Sequence, residues 1–173
     1  MIVKVVENHQ ELQDALSVRK IVFIHEQQVP EEEEIDQYDD TAVHFVQYDG
    51  ETPIGAGRFR TIDGIGKVER ICVLKDKRKT GAGKLIMQKI EDYAKEHDIQ
   101  SVKLNAQTHA IPFYTRLGYE IISDEFLDAG IPHRTMKKNL EKNFCHFDRS
   151  FFRKYLTLGK ITIKKSLPSD FPI

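Results

Sequence analysis

The apolar positions along the chain change period several times. Ile2, Val3, Val5 and Val6 form a short run that predicts a first strand. Asn8 can cap the next segment. There Leu12, Ala15, Leu16, Arg19, Val22 and Phe23 recur at helical spacing, which predicts a helix over 9–26 that ends before Pro30. Val43–Tyr48 alternates as a strand does, Asp49-Gly50 makes a turn, and Pro53–Arg60 follows, a hairpin signal. Gly64 and Gly66 mark a second turn before the run from Lys67 to Leu74, so three antiparallel strands in succession are predicted. A helix to about His97 comes next, then a strand over Val102–Ala106. His109–Leu117 reads as a short helix with Pro112 in its first turn and Gly118 as its C-cap. Two closing strands, Tyr119–Ser123 and His133–Lys137, flank the connection Asp128-Ala129-Gly130-Ile131-Pro132.

The pattern changes at residue 141. Phe144, Phe147, Phe151, Tyr155 and Leu158 recur at spacings of three and four, an aromatic helical stripe, and Ile161-Thr162-Ile163 reads as a small strand before Pro168 and Pro172. The chain is therefore divided into a domain over 1–140 and an extension over 141–173 with no chemistry of its own. Such an appendage packs on its own domain or on a second copy, so a homodimer is an expected form.

Bulk composition narrows the partners. The 173 residues suffice for one domain with a sizeable core. A hydrophobic share of 40% and a charged share of 31% suit a soluble globular chain. A formal net charge of −1 supplies no basic field, so nucleic acid is not an expected partner. No apolar run approaches the ~20 residues that span a bilayer, so no membrane partner is expected. Met1–Glu7 is too short and too charged for a signal peptide. Cys72 and Cys145 lie far apart, which argues against a disulfide framework and for a reducing compartment. A cytoplasmic location is the expectation. No Cys/His cluster has metal-ligand spacing, so no metal is expected.

The stretch Arg78-Lys79-Thr80-Gly81-Ala82-Gly83-Lys84 carries the clearest chemistry. It joins a predicted strand to a predicted helix, so free backbone N–H groups gather at the positive end of the helix dipole. Its glycines admit close approach of a bound anion, and Arg78 and Lys79 add positive charge. A pyrophosphate is the anion expected there. The Walker spacing and the dinucleotide fingerprint are both absent. A second charged stretch, Glu31–Asp40, is densely acidic. It reads either as a solvated surface turn or as one wall of a site for a cationic substrate, with Ile35 and Tyr38 anchoring it.

Arg78-x-x-Gly81-x-Gly83 between strand and helix resembles motif A of the GNAT N-acetyltransferases. Ala110-Ile111-Pro112-Phe113-Tyr114-Thr115-Arg116-Leu117-Gly118-Tyr119 resembles motif B of that family, A-x-x-x-Y-x-x-x-G-[FY]. The order of elements is also the family's. Arg19-x-x-Val22-Phe23-Ile24-x-Glu26-Gln27, with Pro30-Glu31 and Glu34-x-Asp36, is similar to the opening of the ElaA/YjcF-like branch, as is Gly130-Ile131-Pro132-His133 near the end. The resemblance implies an α+β fold: a mixed, mostly antiparallel sheet of about seven strands flanked by helices and splayed at the acetyl-CoA site, with the appendage beyond it.

The resemblance further implies acetyl-CoA as cosubstrate and a small-molecule or peptidyl amine as acceptor. Backbone groups of Arg78, Lys79, Thr80, Gly81, Ala82, Gly83 and Lys84 would hold the pyrophosphate. Backbone of Ile71, Cys72 and Val73 would pair with the pantetheine arm like an added strand, and an N–H near Val73 would face the thioester carbonyl. The family often has Asn three residues before the motif-B alanine; here Gln107 stands there, and Asn105 is an alternative donor. Tyr114 matches the family's general acid, against the plainer reading of a core tyrosine.

Glu69 is the candidate general base, placed by strand alternation on one face with Ile71 and Val73, or else simply the partner of a cation such as Arg70. Some members carry the base two residues earlier, where this chain has Lys67. Glu26 and His133 are candidate acceptor-binding residues, and His109 is a further titratable group. Cys72 has no His or Asp at suitable spacing and reads as core. The competing reading is an acyl-CoA-binding module that senses the thioester without turnover.

Overall fold

One sheet organises residues 1–141, the part of the chain that the computed structural model describes. The aromatic helix and tail expected further on lie outside the described residues. Eight strands are seen among those described: β1 (Ile2–Val5), β2 (Val43–Asp49), β3 (Thr52–Ile62), β4 (Ile65–Val73), β5 (Ser101–Gln107), β6 (Glu120–Ile121), β7 (Phe126–Asp128) and β8 (Ile131–Asn139). Their order is β1-β2-β3-β4-β5-β8-β6, with β7 also paired to β8. Every pairing is antiparallel except β4 with β5. The chain reaches β5 through helix α3 (Ala82–Glu96), the long crossover that a parallel neighbour requires. The mixed, mostly antiparallel architecture is the expected one. The strand absent from the sequence pattern is β7, which turns the 128–132 connection into a tight hairpin on β8.

Helices cover both faces, and strand alternation sorts the core between them. Phe45, Ile54, Phe59 and Val68 point to the face where α3 lays down Ile86, Met87 and Ile90. Full burial of each such side chain stabilises the fold by about 1.5–3 kcal/mol. Helix α4 (Ile111–Arg116) lies in the same cluster through Tyr114. Val46, Ala56 and Cys72 point the other way and pack against Ala15, Val18 and Val22. Ala15 and Val18 come from α1 (His9–Arg19), whose N-terminus is closed by the Asn8 side chain accepting from the Glu11 N–H.

The helix predicted over 9–26 does not run uniformly. Beyond Arg19 it widens into a π-helical segment, Lys20–Glu26, and Gln27 donates to the carbonyl five residues back, at Val22. The wider turn re-phases the side chains. Val22 stays in the core while Phe23 and Gln27 reach the rim of a cleft.

β4 also breaks its own period. Arg70 adopts φ 55°, and the β3 register shifts between Ala56 and Arg58. This is a bulge, and it flips the alternation along the strand. Glu69 therefore shares the α1 face with its partner Arg58, while Ile71 and Val73 face α3. The expectation that Glu69 lies on one face with Ile71 and Val73 is corrected by this bulge.

Candidate active site

The two parallel strands separate after a short zip. β4 and β5 pair only over Gly66–Val68 and Val102–Leu104, although β4 continues to Val73 and β5 to Gln107. Each strand stays paired on its outer side, β4 to β3 and β5 to β8. Their inner edges past the zip therefore face a split, with backbone groups available to an inserted extended chain. A cavity of about 500 Å³ follows the split. Its lining includes Ile71, Cys72 and Val73 on one edge, Asn105 and Gln107 on the other, and Tyr114 and His133.

The turn from β4 into α3 lies at one end of the split. Lys79 and Gly81 both take left-handed backbone, at φ 65° and 91°. Gly81 caps α3 without any side-chain hydrogen bond, so the first-turn N–H groups of α3 are left for an external acceptor. A Cβ on Gly81 would meet nothing within 4 Å, so glycine is required there by the backbone angle. Gly83 answers a different need, since a Cβ there would lie 3.3 Å from Phe113 and force α3 away from α4. Free amides at the start of a helix are donors suited to an anion.

Arg78 does not simply add charge beside this turn. Its Nε donates to the Val73 carbonyl at 2.9 Å, and its two terminal nitrogens grip the Glu26 carboxylate at 2.6 and 2.7 Å. The Glu26 carboxyl is lowered first of all by that hydrogen bond from Arg78. The expectation that Glu26 reaches the acceptor cleft is therefore corrected. It is held by Arg78 beside the turn into α3, and the neighbouring Gln27 lines the cavity and accepts from Gln107 Nε2 at 2.9 Å.

The acidic stretch is divided: Glu31, Glu32 and Glu33 are exposed, with Glu33 lining the cavity, and Glu34, Asp36 and Asp39 turn inward. Glu31–Glu34 forms a short helix, α2. Glu34 is buried between Arg19 and Arg70, Asp39 binds Arg19 and Arg58, and Asp36 binds Arg58 through two oxygens. Burial works against the charge of Asp39, but hydrogen bonds from Arg19 and Arg58 hold its carboxyl well below the usual range. Burial dominates at Glu34 and raises it despite both arginines. Arg19 and Arg58 are themselves almost wholly buried. Glu34, Asp36 and Asp39 are thus consumed in an internal ion-pair network, while Glu33 stays exposed and lines the cavity.

Glu69 belongs to the same network. It accepts from Arg58 at 3.2 Å, from Arg60 at 2.8 Å, and from Lys67 at 2.9 Å. Burial alone would raise its pKa. The hydrogen bonds from Arg60 and Lys67 and the charge of Arg58 outweigh it and hold the carboxyl at about 2. A carboxylate so placed has little appetite for a proton. The sequence offers Arg70 as its partner; the structure gives that part to Arg58, Arg60 and Lys67, because the bulge turns Arg70 toward α2. A usable signal is present in the helical stripe: Arg19 recurs among buried apolar positions, and a buried cation needs a buried anion.

Tyr114 sits edge-on between Phe113 and Tyr119, with ring centroids 5.0 and 5.9 Å away. Burial pushes its phenol above the ordinary tyrosine range, so the oxygen keeps its proton at neutral pH. The Cys72 thiol, also buried, is pushed up to about 12 and is no nucleophile. Asn105 accepts from Thr135 Oγ1 at 3.1 Å. His109 lines the cavity as well. Lys79, Thr80, Ala82 and Lys84 belong to the turn and the start of α3 and do not line it. Among the described residues, no cluster of three or more His, Cys, Asp or Glu could hold a metal.

Comparison with known proteins agrees with this geometry. The pattern of the acetyltransferase (GNAT) domain matches residues 10–140. YjcF of Bacillus subtilis, described as an uncharacterized N-acetyltransferase, is 52% identical over 136 residues, covering 78% of this chain and 97% of its own. The crystal structure of Escherichia coli ElaA superposes with a TM-score of 0.73 at 23% identity, over 80% of this chain and 99% of that one. An aminoglycoside 6'-N-acetyltransferase complexed with coenzyme A shares the fold at a TM-score of 0.64 and 12% identity, over 82% and 98%.

Proposed function

The chain belongs to the GNAT acetyltransferase family, and from that membership we propose that it is an acetyl-CoA-dependent N-acetyltransferase acting on the primary amine of a small molecule or peptide. The observation that carries this reading is the split between β4 and β5, which opens beside a capless α3 N-terminus and leads to a buried, protonated Tyr114. When bound, acetyl-CoA supplies an activated acetyl thioester. The free N–H groups at the start of α3 and its preceding turn hold the pyrophosphate. The inner edge of Ile71–Val73, with Asn105 and Gln107 opposite, holds the extended arm. Tyr114 Oη keeps a proton, donates it where a thiolate departs, and regains one as the acylated nitrogen sheds its second proton. The acceptor approaches from the α1 face, where Phe23, Gln27 and His133 line the opening.

Glu69 is read as a structural carboxylate. Its pKa and its cation partners suit it to fixing β3 against β4. The test is thiol release from acetyl-CoA with a panel of amines, beside calorimetric binding of acetyl-CoA. Amine-dependent CoA release supports the enzyme. Tight binding with no release for any amine replaces it with a thioester-binding module.

A further inference from the structure

The acceptor enters such a site as an ammonium and must lose a proton before it can attack. Three carboxylates near the cleft are ill suited to take it. Glu69 is gripped by Arg58, Arg60 and Lys67, Glu34 is buried between Arg19 and Arg70, and Glu26 is closed on Arg78. His133 is differently placed. Its Nδ1 lies 2.7 Å from the Ile131 carbonyl. A carbonyl oxygen only accepts, so Nδ1 carries the proton, and in the neutral ring Nε2 carries the lone pair. The ring is only 8% exposed and stacks on Phe126, at 6.1 Å between centroids and 23° between planes. The hairpin of β7 and β8 therefore holds it in one orientation at the cavity wall.

The sheet places this side chain on the face opposite Tyr114. His133 pairs directly with Gln107, so the two side chains emerge on the same face. Gln107 bonds Gln27, which caps the π-helical segment, so that face is the α1 face from which the acceptor is proposed to approach. Tyr114 belongs to the cluster on the α3 face. The split between β4 and β5 thus has an acid on one face and an imidazole on the other. Resting on the acetyl-transfer reading, we propose that His133 is the general base of the reaction, through Nε2.

Nε2 takes one proton from the acceptor ammonium, which leaves a neutral amine with its lone pair free and an imidazolium on β8. The imidazolium then passes that proton to solvent at the cleft mouth, which regenerates the neutral ring. Other ionisable groups share the cavity: Asp128 of β7, His109 of the turn before α4, Glu33 of α2, and Lys67, Glu69 and Arg70 of β4. Asn105 and Gln107, beside His133 on β5, are neutral. Both Lys67 and Arg70 are engaged by carboxylates.

The experiment has two arms. In the first, ¹⁵N NMR of the wild-type protein reads the His133 ring. A neutral ring protonated on Nδ1 is expected. A ring protonated on Nε2, or one that stays charged up to pH 9, overturns the proposal without any turnover assay. In the second, wild type and His133→Gln are compared for pH–rate profile and acetyl-CoA affinity. The variant is expected to bind acetyl-CoA within about twofold, to keep KM for the amine within a few fold, and to lose about 100-fold in kcat. Its profile should lack the limb that rises with pH as the imidazole deprotonates. An unchanged limb and kcat overturn the base alone. Wild-type protein that binds acetyl-CoA and never releases CoA overturns the acetyl-transfer reading and the base with it.

Discussion

Arg58 and Glu69 are cross-strand partners whose charged atoms meet at 3.1 Å, one position before the bulge at Arg70. The pair ties β3 and β4 to the acidic segment, because Arg58 also reaches Asp36 and Asp39. Removing the carboxylate leaves Arg58, Arg60 and Lys67 crowded with no anion between them. Glu69→Gln should therefore lower unfolding stability by about 3 kcal/mol. Urea denaturation followed by circular dichroism measures it. A loss within about 0.5 kcal/mol would show that the network contributes nothing net.

The same network sets an acid limit. Glu69 is lowered from an ordinary 4.5 to about 2, so the folded state binds this proton less readily than the unfolded state. Its contribution is complete above the unfolded value and disappears as pH falls through the folded one. Asp39, also lowered, acts in the same direction, while Glu34, raised by burial, partly opposes them. Stability should decline from about pH 5 toward pH 2, and Glu69→Gln should flatten that slope. Denaturant titrations at stepped pH test both statements.

Tyr114→Phe keeps the ring between Phe113 and Tyr119 and deletes only the proton donor. Stability should change by less than about 1 kcal/mol. The rate of CoA release should fall about 100-fold with acetyl-CoA affinity preserved. Steady-state kinetics and calorimetry separate the two effects. An equal loss in binding and rate would mark Tyr114 as a wall of the cavity and no more.

Gly81→Ala places a Cβ on backbone at φ 91° without touching a neighbour. The cost is conformational, about 1–2 kcal/mol in stability. The turn presenting the α3 amides should relax, and acetyl-CoA should bind about tenfold more weakly. Calorimetry reads the affinity. Retained affinity would remove the turn from the donor site.

Gln47 is wholly buried, and neither polar atom of its amide has a hydrogen-bond partner. An unpaired buried amide is costly, and Met has a similar length with no polar demand. Gln47→Met should raise stability by about 1 kcal/mol, read from the thermal midpoint. A decrease would show that the amide is satisfied by water.

Local pattern is enough for most of the architecture. Hairpins announced by Asp49-Gly50 and by Gly64, the helix of α3 and the motif around Tyr114 are written in neighbouring residues, because period, turn chemistry and capping act over a few positions. The turn into α3 is legible for the same reason: its glycines and the strand and helix that flank it are contiguous. What sequence alone could not decide is where charges end up. Alternation places Glu69 with Ile71, but a bulge at Arg70 depends on how β3 and β4 register, and no short pattern encodes that. The acidic run looks solvated because its counter-ions, Arg19, Arg58 and Arg70, lie up to 37 residues away and meet it only in the folded chain. The same holds for His133, whose residue type is visible from the start, while its proton position depends on a carbonyl presented by the β7–β8 hairpin and its exposure on the cleft that β4 and β5 open.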